Sequence, residues 1–205
     1  WSLTGSLPED VTPEQLRSTG LVHRDGAKAG KDFFYRHILI PYLARGHSIQ
    51  VRGRAWGEVK GGKYFTGPGD PPRLYNADSL DGADEVIITE GEFDTMILAQ
   101  ALAGAIEPRV RKIAVVSIPG TSSIPEEFDD MLADCKRIYI GLDSDEAGKK
   151  AAETLKERIG TRARILTLPY VDGRKCDWTE FLLPAEGPGT DWKHRHPYSG
   201  RTWRD

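Results

Sequence analysis

The sequence predicts an α/β protein in which an open parallel sheet flanked by helices follows a small, basic, largely antiparallel α+β subdomain. Beyond residue 84, apolar strand-like runs alternate with helical segments, which is typical of a parallel sheet covered by helices. Between residues 33 and 73, short apolar runs are separated by Arg-Gly and Gly-Gly turns, which is typical of antiparallel strands. A chain of 205 residues, 39% of them hydrophobic, is long enough to bury a real core.

The N-terminal part of the chain predicts one short helix and four short strands. Residues 12–19 begin with Thr-Pro, which suits a helix N-terminus, and Gly20 follows as a stop signal. The predicted strands are residues 33–35, 37–40, 48–56 and 63–65. In the third strand Arg52 and Arg54 alternate with apolar residues. We therefore expect Ile49 and Val51 to face inward and the two arginines to share the outer face.

The C-terminal part predicts four strands, each followed by a helix. The strands are residues 85–89, 112–118, 137–142 and 164–168, and the helices are residues 93–104, 125–134, 146–159 and 178–183. The strand runs are apolar without strict alternation, which predicts burial on both faces. We divide the chain into a basic subdomain (1–76), an α/β domain (77–183) and a flexible tail (184–205). Two histidines in the tail have no partner ligands at metal-binding spacing.

Charge is distributed unevenly along the chain. Residues 24–73 contain ten lysines and arginines against four acidic residues, whereas residues 74–186 contain thirteen against twenty-two. A basic region attracts phosphate groups, while clustered carboxylates repel nucleic acid unless cations lie between them. The combination indicates a metal-dependent enzyme that acts on nucleotides.

Acidic residues follow two of the predicted parallel strands. Glu90 comes directly after the first strand, and Asp143 and Asp145 come after the third. Ligands of open parallel sheets bind beyond the carboxyl ends of the strands, so we expect these side chains to converge there. Hard oxygen ligands in this number suit Mg²⁺ or Mn²⁺ and phosphoryl transfer. The alternative is that an acidic residue at a strand end only caps the next helix.

Two motifs resemble those of TOPRIM domains, which occur in topoisomerases, bacterial and phage primases, RecR-type repair proteins and some nucleases. They are Glu-Gly-x-x-Asp at residues 90–94 and Asp-x-Asp-x-x-Gly at residues 143–148, and the resemblance spans about residues 84–183. It implies that Glu90, Asp143 and Asp145 are catalytic and bind metal. The residues to which it assigns a structural role are Gly91, Asp94 and Gly148.

Four upstream segments resemble the basic subdomain of bacterial and phage primases, which topoisomerases and RecR lack. They are residues 37–41, 52–54, 63–64 and 74–76. The resemblance implies that template or nucleotide is bound by Arg52, Arg54, Lys63 and Tyr64. The alternative is that these basic side chains are merely solvated. Near the C-terminus, residues 172–177 resemble a segment whose late aspartates complete the metal site of primases. This makes Asp177 a further metal ligand and Asp172 a weaker candidate, although Asp177 could also cap the helix that follows.

The resemblance implies DNA-directed synthesis of RNA primers by two-metal nucleotidyl transfer, with Mg²⁺ or Mn²⁺ as cofactor. The alternatives are a TOPRIM-type nuclease and a nucleic-acid-binding module with a vestigial site. Expected partners are single-stranded DNA, ribonucleoside triphosphates, a zinc-binding module and a replicative helicase. The first residue, Trp1, suggests a piece of a longer polypeptide, and Cys135 and Cys176 form no zinc-ribbon pair. We expect no zinc in this chain, no membrane span, and a location in the cytoplasm of a bacterial or phage-infected cell.

Overall fold

The computed structural model describes most of the chain and divides it into two compact units. The described residues are 10–18, 20–23, 26, 29–57, 62–67, 70–105, 112–121, 124–168 and 177–182. The units are Trp1–Pro71 and Pro72–Asp205. The division of the chain at residue 76 stays a prediction, and Tyr75 pairs with Ser117 within the second unit. The predicted tail, residues 184–205, and the weaker metal-ligand candidate Asp172 lie outside the described residues.

The first unit contains one short helix and a three-stranded antiparallel sheet. Its elements are α1 (Pro13–Ser18), β1 (His37–Ala44), β2 (His47–Ala55) and β3 (Tyr64–Thr66), and the strand order is β1-β2-β3. Helix α1 starts as predicted, because Thr12 Oγ1 accepts a hydrogen bond from Gln15 N at 3.2 Å and Gln15 Oε1 accepts one from Thr12 N at 2.8 Å. The small antiparallel sheet is confirmed.

The strand expected at residues 33–35 is wrong. These residues form turns, and Arg36 has a left-handed φ of 60°, which breaks an extended run just before β1. The side chains of Phe33 and Phe34 pack against each other and onto β3, with the rings of Phe33 and Phe65 4.8 Å apart. Aromatic residues favour both strands and packed clusters, so composition alone did not distinguish the two.

The faces of β2 also differ from the expectation. Ile49 is 45% exposed, whereas Gln50, on the same face as the two arginines, is 8% exposed. The register of β1 and β2 shifts between Tyr42 and Leu43, so Ile49 has no partner in the ladder. A bulge of this kind changes how the strand presents its side chains, and strict alternation does not predict it.

The second unit is a parallel sheet with helices on both faces, as the sequence predicts. Its elements are β4 (Glu85–Thr89), α2 (Glu92–Ala105), β5 (Ile113–Ser117), α3 (Glu127–Met131), β6 (Arg137–Ile140), α4 (Glu146–Ile159), β7 (Ala163–Ile165) and α5 (Trp178–Leu182). Neighbouring strands pair in parallel in the order β5-β4-β6-β7. One apolar cluster joins the sheet to α3 and α4, and another joins it to α2 and α5. None of the described helices is long and apolar enough to span a membrane.

The strand order places a topological switch point between β4 and β6. The chain leaves β4 toward β5 on one side, whereas it leaves β6 toward β7 on the other. The crevice beyond the carboxyl ends of two such strands is where open α/β sheets bind ligands. Glu90 follows β4 directly, and Asp143 lies three residues beyond β6. The fold therefore brings the predicted acidic residues to its default binding position.

Candidate metal centre

Glu90 lies on a turn that two threonines hold in place. Thr89 ends β4 fully buried, and its hydroxyl lies 2.7 Å from the hydroxyl of Thr95 in the first turns of α2. The carbonyl oxygen of Gly91 accepts hydrogen bonds from both Thr95 N, at 3.0 Å, and Thr95 Oγ1, at 3.1 Å. These bonds join the end of β4 to the start of α2, so Glu90 is held at the strand end.

Asp143 lies across from Glu90. Its backbone N–H contacts Glu90 Oε2 at 3.4 Å, which links the ends of β4 and β6. Gly148, in the first turn of α4, packs directly on the same segment: a Cβ atom there would lie 2.2 Å from the carbonyl oxygen of Asp143. Only glycine allows this approach. Close contact, and not a left-handed turn, is what requires glycine at this position.

Asp145 caps α4. Its backbone is extended (φ −81°, ψ 174°), and its Oδ1 accepts a hydrogen bond from Gly148 N at 2.8 Å. Helix capping, which the sequence left open as an alternative, is therefore the role of one oxygen of this carboxylate. Capping uses that oxygen as acceptor, and it fixes Asp145 beside Asp143 at the switch point.

The carboxylates perturb one another. Burial, followed by the charges of Glu90, Asp94, Asp177 and Asp145, raises the pKa of Asp143 to about 7. Burial is also the main cause that raises the pKa of Glu90, with smaller contributions from Asp145 and Asp94, while the Asp143 N–H lowers it. A carboxyl group that keeps its proton up to neutral pH, through burial first and neighbouring acids second, is a group at which a divalent cation can displace that proton.

The polar atoms at this position fit a divalent cation. Asp143 Oδ1 is buried and has no hydrogen-bond partner among the described residues. A buried carboxylate oxygen of this kind costs free energy unless something binds it. Within the part of the chain that the structure describes, no three acidic, histidine or cysteine side chains are grouped tightly enough to hold an ion as they stand.

Asp94 and Asp177 are both engaged in hydrogen bonds that shape the site. Asp94 is buried in α2, and its Oδ1 accepts from Thr179 N at 3.0 Å and from Thr179 Oγ1 at 2.8 Å. Asp177 caps α5, since its Oδ1 accepts from Glu180 N at 2.7 Å. Asp177 is also one of the charges that act on Asp143. Asp177 thus caps α5 and also lies close enough to Asp143 for its charge to act there.

The first unit groups three of the four predicted nucleotide-binding residues. The guanidinium carbons of Arg52 and Arg54 lie 4.6 and 5.5 Å from the centre of the Tyr64 ring. Arg54 Nη1 also donates to the Tyr64 hydroxyl at 3.0 Å. Cation–π contacts hold the arginines against the ring and leave them half-buried. Lys63 is exposed immediately before β3.

Sequence reasoning missed several residues around the centre. Glu92 is 1% exposed. The pKa of Tyr75 is raised mainly by burial of Tyr75 and secondly by the negative charge of Glu92. Ser144, between the two aspartates, is buried. Trp178 is 4% exposed, and its indole N–H donates to the carbonyl oxygen of Gly141 at 2.7 Å. Nothing in the sequence around Glu92 indicates burial, because a glutamate in the first turn of a helix is usually solvated.

We expect Gly148→Ala to destabilise the second unit by about 1 to 3 kcal/mol, since the added methyl group must push α4 away from Asp143. Chemical denaturation of the purified chain measures this. The exposed neighbour Ala147 provides the control, and Ala147→Ser should change the free energy of unfolding by less than about 0.5 kcal/mol. Equal, small effects from both substitutions would mean that the close approach at Gly148 is not needed.

Residues 87–182 match the model of a family described as Toprim-like. Gene 57 protein of Mycobacterium phage D29 is 32% identical over 108 residues, which are 52% of this chain and 64% of that protein. A DNA primase of Pseudomonas putida is 30% identical over 182 residues, which are 80% of this chain and 25% of that protein. The crystal structure of the Aquifex aeolicus primase, with its zinc-binding and RNA polymerase domains, matches with a TM-score of 0.62 and 23% identity. That match covers 82% of this chain and 42% of the other.

The chain thus spans less than two thirds of the length of each of these proteins. The matched region includes Glu90, Asp143, Asp145 and Asp177. The similarity to the primase of Pseudomonas putida extends well beyond the Toprim-like region, because it covers 80% of the chain. The resemblance inferred from the motifs is confirmed by these matches.

Proposed function

This chain carries a Toprim-like domain with the fold of primase catalytic cores, and from that premise we propose that it synthesises RNA primers on single-stranded DNA. The observation that carries the proposal is the carboxylate cluster of Glu90, Asp143 and Asp145 at the switch point. Glu90 follows β4, and Asp143 and Asp145 follow β6, which is the neighbouring strand of the sheet. Such a cluster is costly to maintain unless it binds cations.

In this proposal Glu90, Asp143 and Asp145 hold Mg²⁺ or Mn²⁺, with two ions engaged during the reaction and Asp177 as a further ligand. Bound ions would supply charge neutralisation of the triphosphate and activation of the attacking 3′-hydroxyl. Asp143 must lose its proton to bind a cation, and its partnerless Oδ1 is the available donor atom. Asp145 keeps one oxygen on α4 as the helix cap and contributes its negative charge to the site. The chemistry is nucleotidyl transfer with pyrophosphate as the leaving group.

Arg52, Arg54, Lys63 and Tyr64 bind template or incoming nucleotide in this proposal. Half-buried arginines held against an aromatic ring are oriented in advance, so they lose less conformational freedom when they bind phosphate. Binding to the DNA backbone of this kind weakens as salt concentration rises. A dissociation constant for single-stranded DNA that does not change with salt would contradict this assignment.

We expect Tyr64→Phe and Tyr64→Leu to differ in nucleotide binding. Phenylalanine keeps the ring beneath Arg52 and Arg54 and removes only the hydroxyl that Arg54 contacts, whereas leucine removes both. The leucine variant should raise the KM for nucleotide by about fivefold or more, since a cation–π contact contributes about 1 kcal/mol, and the phenylalanine variant should raise it less. Steady-state kinetics with varied nucleotide would measure this. Equal KM values for all three proteins would remove the ring from the binding site.

A second candidate function is phosphodiester hydrolysis, since the same carboxylates could serve a TOPRIM-type nuclease with water as the nucleophile. The similarity to a DNA primase of Pseudomonas putida over 80% of the chain favours the polymerase. A binding module with a vestigial site is disfavoured by the presence of Glu90, Asp143 and Asp145 together.

The experiment that tests the proposed function is extension of a short RNA annealed to a DNA template, with labelled ribonucleotides and Mn²⁺ or Mg²⁺. A pre-annealed RNA removes the need to select a start site. We propose that start-site selection depends on a zinc-binding module as partner. We also propose a replicative helicase as a second partner. The proposal predicts metal-dependent addition of ribonucleotides that stops on chelation. Cleavage of labelled DNA without nucleotides would instead support the nuclease. If the chain shows neither activity but binds single-stranded DNA, the binding module with a vestigial site is supported.

A further inference from the structure

Helix α5 presents Asp177 to the carboxylate cluster, yet it is only five residues long. A helix this short is not stable by itself, because the cost of fixing its first turn is not recovered over so few residues. Its position must therefore come from contacts with the rest of the domain. Phe181 and Leu182 join the apolar cluster between the sheet and α2, but apolar packing does not fix the direction of a helix N-terminus.

Two polar anchors fix that N-terminus. Both the backbone N–H and the hydroxyl of Thr179 donate to Asp94 Oδ1, at 3.0 and 2.8 Å. The indole N–H of Trp178 donates to the carbonyl oxygen of Gly141 at 2.7 Å. The fit at Gly141 is close, because a Cβ atom there would lie 2.9 Å from the indole ring. The two residues that follow Asp177 are thus both fixed to the body of the domain.

The anchors attach to the same two segments that carry the cluster. Asp94 lies one helical turn after Glu90, and Gly141 lies two residues before Asp143. Any displacement of α5 must break a hydrogen bond to one of these segments. The buried Asp94 carboxylate, with two donors on one oxygen, makes such a break costly.

We propose that Thr179 and Trp178 are positioning residues that hold Asp177 at the metal centre, with Asp94 as the buried anchor of Thr179. This inference rests on the proposed function, because it assigns Asp177 as a ligand. It gives Asp94 a role through α5 and leaves direct metal binding to Glu90, Asp143, Asp145 and Asp177. Partners that orient a metal ligand typically change metal affinity by about 10- to 100-fold when they are removed.

The test compares Thr179→Val with Thr179→Ser in the full 205-residue chain. Valine has the shape of threonine without the hydroxyl, whereas serine keeps the donor to Asp94 Oδ1. The first readout is amide hydrogen exchange of residues 177–182 in the absence of metal. The second readout is Mn²⁺ affinity, obtained from the paramagnetic resonance signal of free Mn²⁺. The valine variant should exchange faster and bind Mn²⁺ about tenfold more weakly, and the serine variant should match the unchanged chain.

A double variant shows whether Thr179 acts through Asp177. Asp177→Asn keeps a capping side chain but removes the charge, so it should weaken Mn²⁺ binding without faster exchange. Adding Thr179→Val to it should then cost little further affinity, because coupled residues are not additive. Unchanged exchange, unchanged Mn²⁺ affinity of the valine variant, or full additivity would each overturn the positioning role. No Mn²⁺ binding by the unchanged chain, with normal exchange, would overturn the proposed function instead.

Discussion

Replacing Asp145 with asparagine is expected to lower the rate of RNA extension by about 10³-fold while α4 remains folded. Asparagine caps helices as well as aspartate does, so the hydrogen bond from Gly148 N is kept. What the substitution removes is the negative charge. Primer extension at saturating nucleotide measures the rate, and circular dichroism with thermal unfolding measures the helix.

The alanine variant of the same residue provides the comparison. Asp145→Ala removes both the charge and the cap, so it should lose the same activity and in addition about 1 kcal/mol of stability. The pair separates the two roles that the geometry gives to this carboxylate. If the asparagine variant extends RNA at the normal rate, Asp145 serves only as a cap and does not bind metal.

The second large effect is a pH dependence at Asp143. Its pKa is raised from 3.8 to about 7, mainly by burial, so a cation must displace a proton below that pH. We expect the apparent Mn²⁺ affinity to rise about tenfold per pH unit up to about pH 7 and to level off above it. Titrations of Mn²⁺ between pH 5 and about pH 8 measure this. An affinity that stays constant over this range would show that Asp143 is already ionised, or that it is no ligand.

The same shift predicts how the stability of the metal-free chain varies with pH. The folded protein binds the Asp143 proton more tightly than the unfolded chain, so this group stabilises the fold below about pH 4. That contribution is lost as the pH rises through about 7, at up to about 1.4 kcal/mol per pH unit within the window. Asp143→Asn cannot ionise and should flatten the decline. A steeper decline in the variant would contradict the assignment.

Much of the fold could be predicted because the sequence signals were local and mutually consistent. The runs at 85–89 and 137–142 are apolar and bounded by acids and glycines, so strand and following helix were both clear. The strand order was not predictable in this way, because it depends on which strands pair across long separations. It is the order β5-β4-β6-β7 that makes the ends of β4 and β6 neighbours.

The candidate site was predictable in its acids and unpredictable in its supports. Glu90, Asp143 and Asp145 stand out in sequence because acids at strand ends are chemically conspicuous. The contacts that hold them come from residues distant in sequence: Thr179 binds Asp94 across 85 positions, and Trp178 binds Gly141 across 37. No periodicity or spacing encodes such pairs. The error at Ile49 has a similar origin, since the bulge arises from pairing with β1.

The central claim is that the carboxylates at the switch point form a divalent-cation site. The most direct measurement is Mn²⁺ binding to the metal-free chain, followed by paramagnetic resonance, for the unchanged protein and for Asp143→Asn. We expect saturable Mn²⁺ binding to the unchanged protein that a chelator reverses. We expect the Mn²⁺ affinity of Asp143→Asn to be at least about tenfold weaker. Equal binding by the two proteins, or no binding by either, would contradict it, and the acids would then be helix caps and sheet-edge contacts without a catalytic ion.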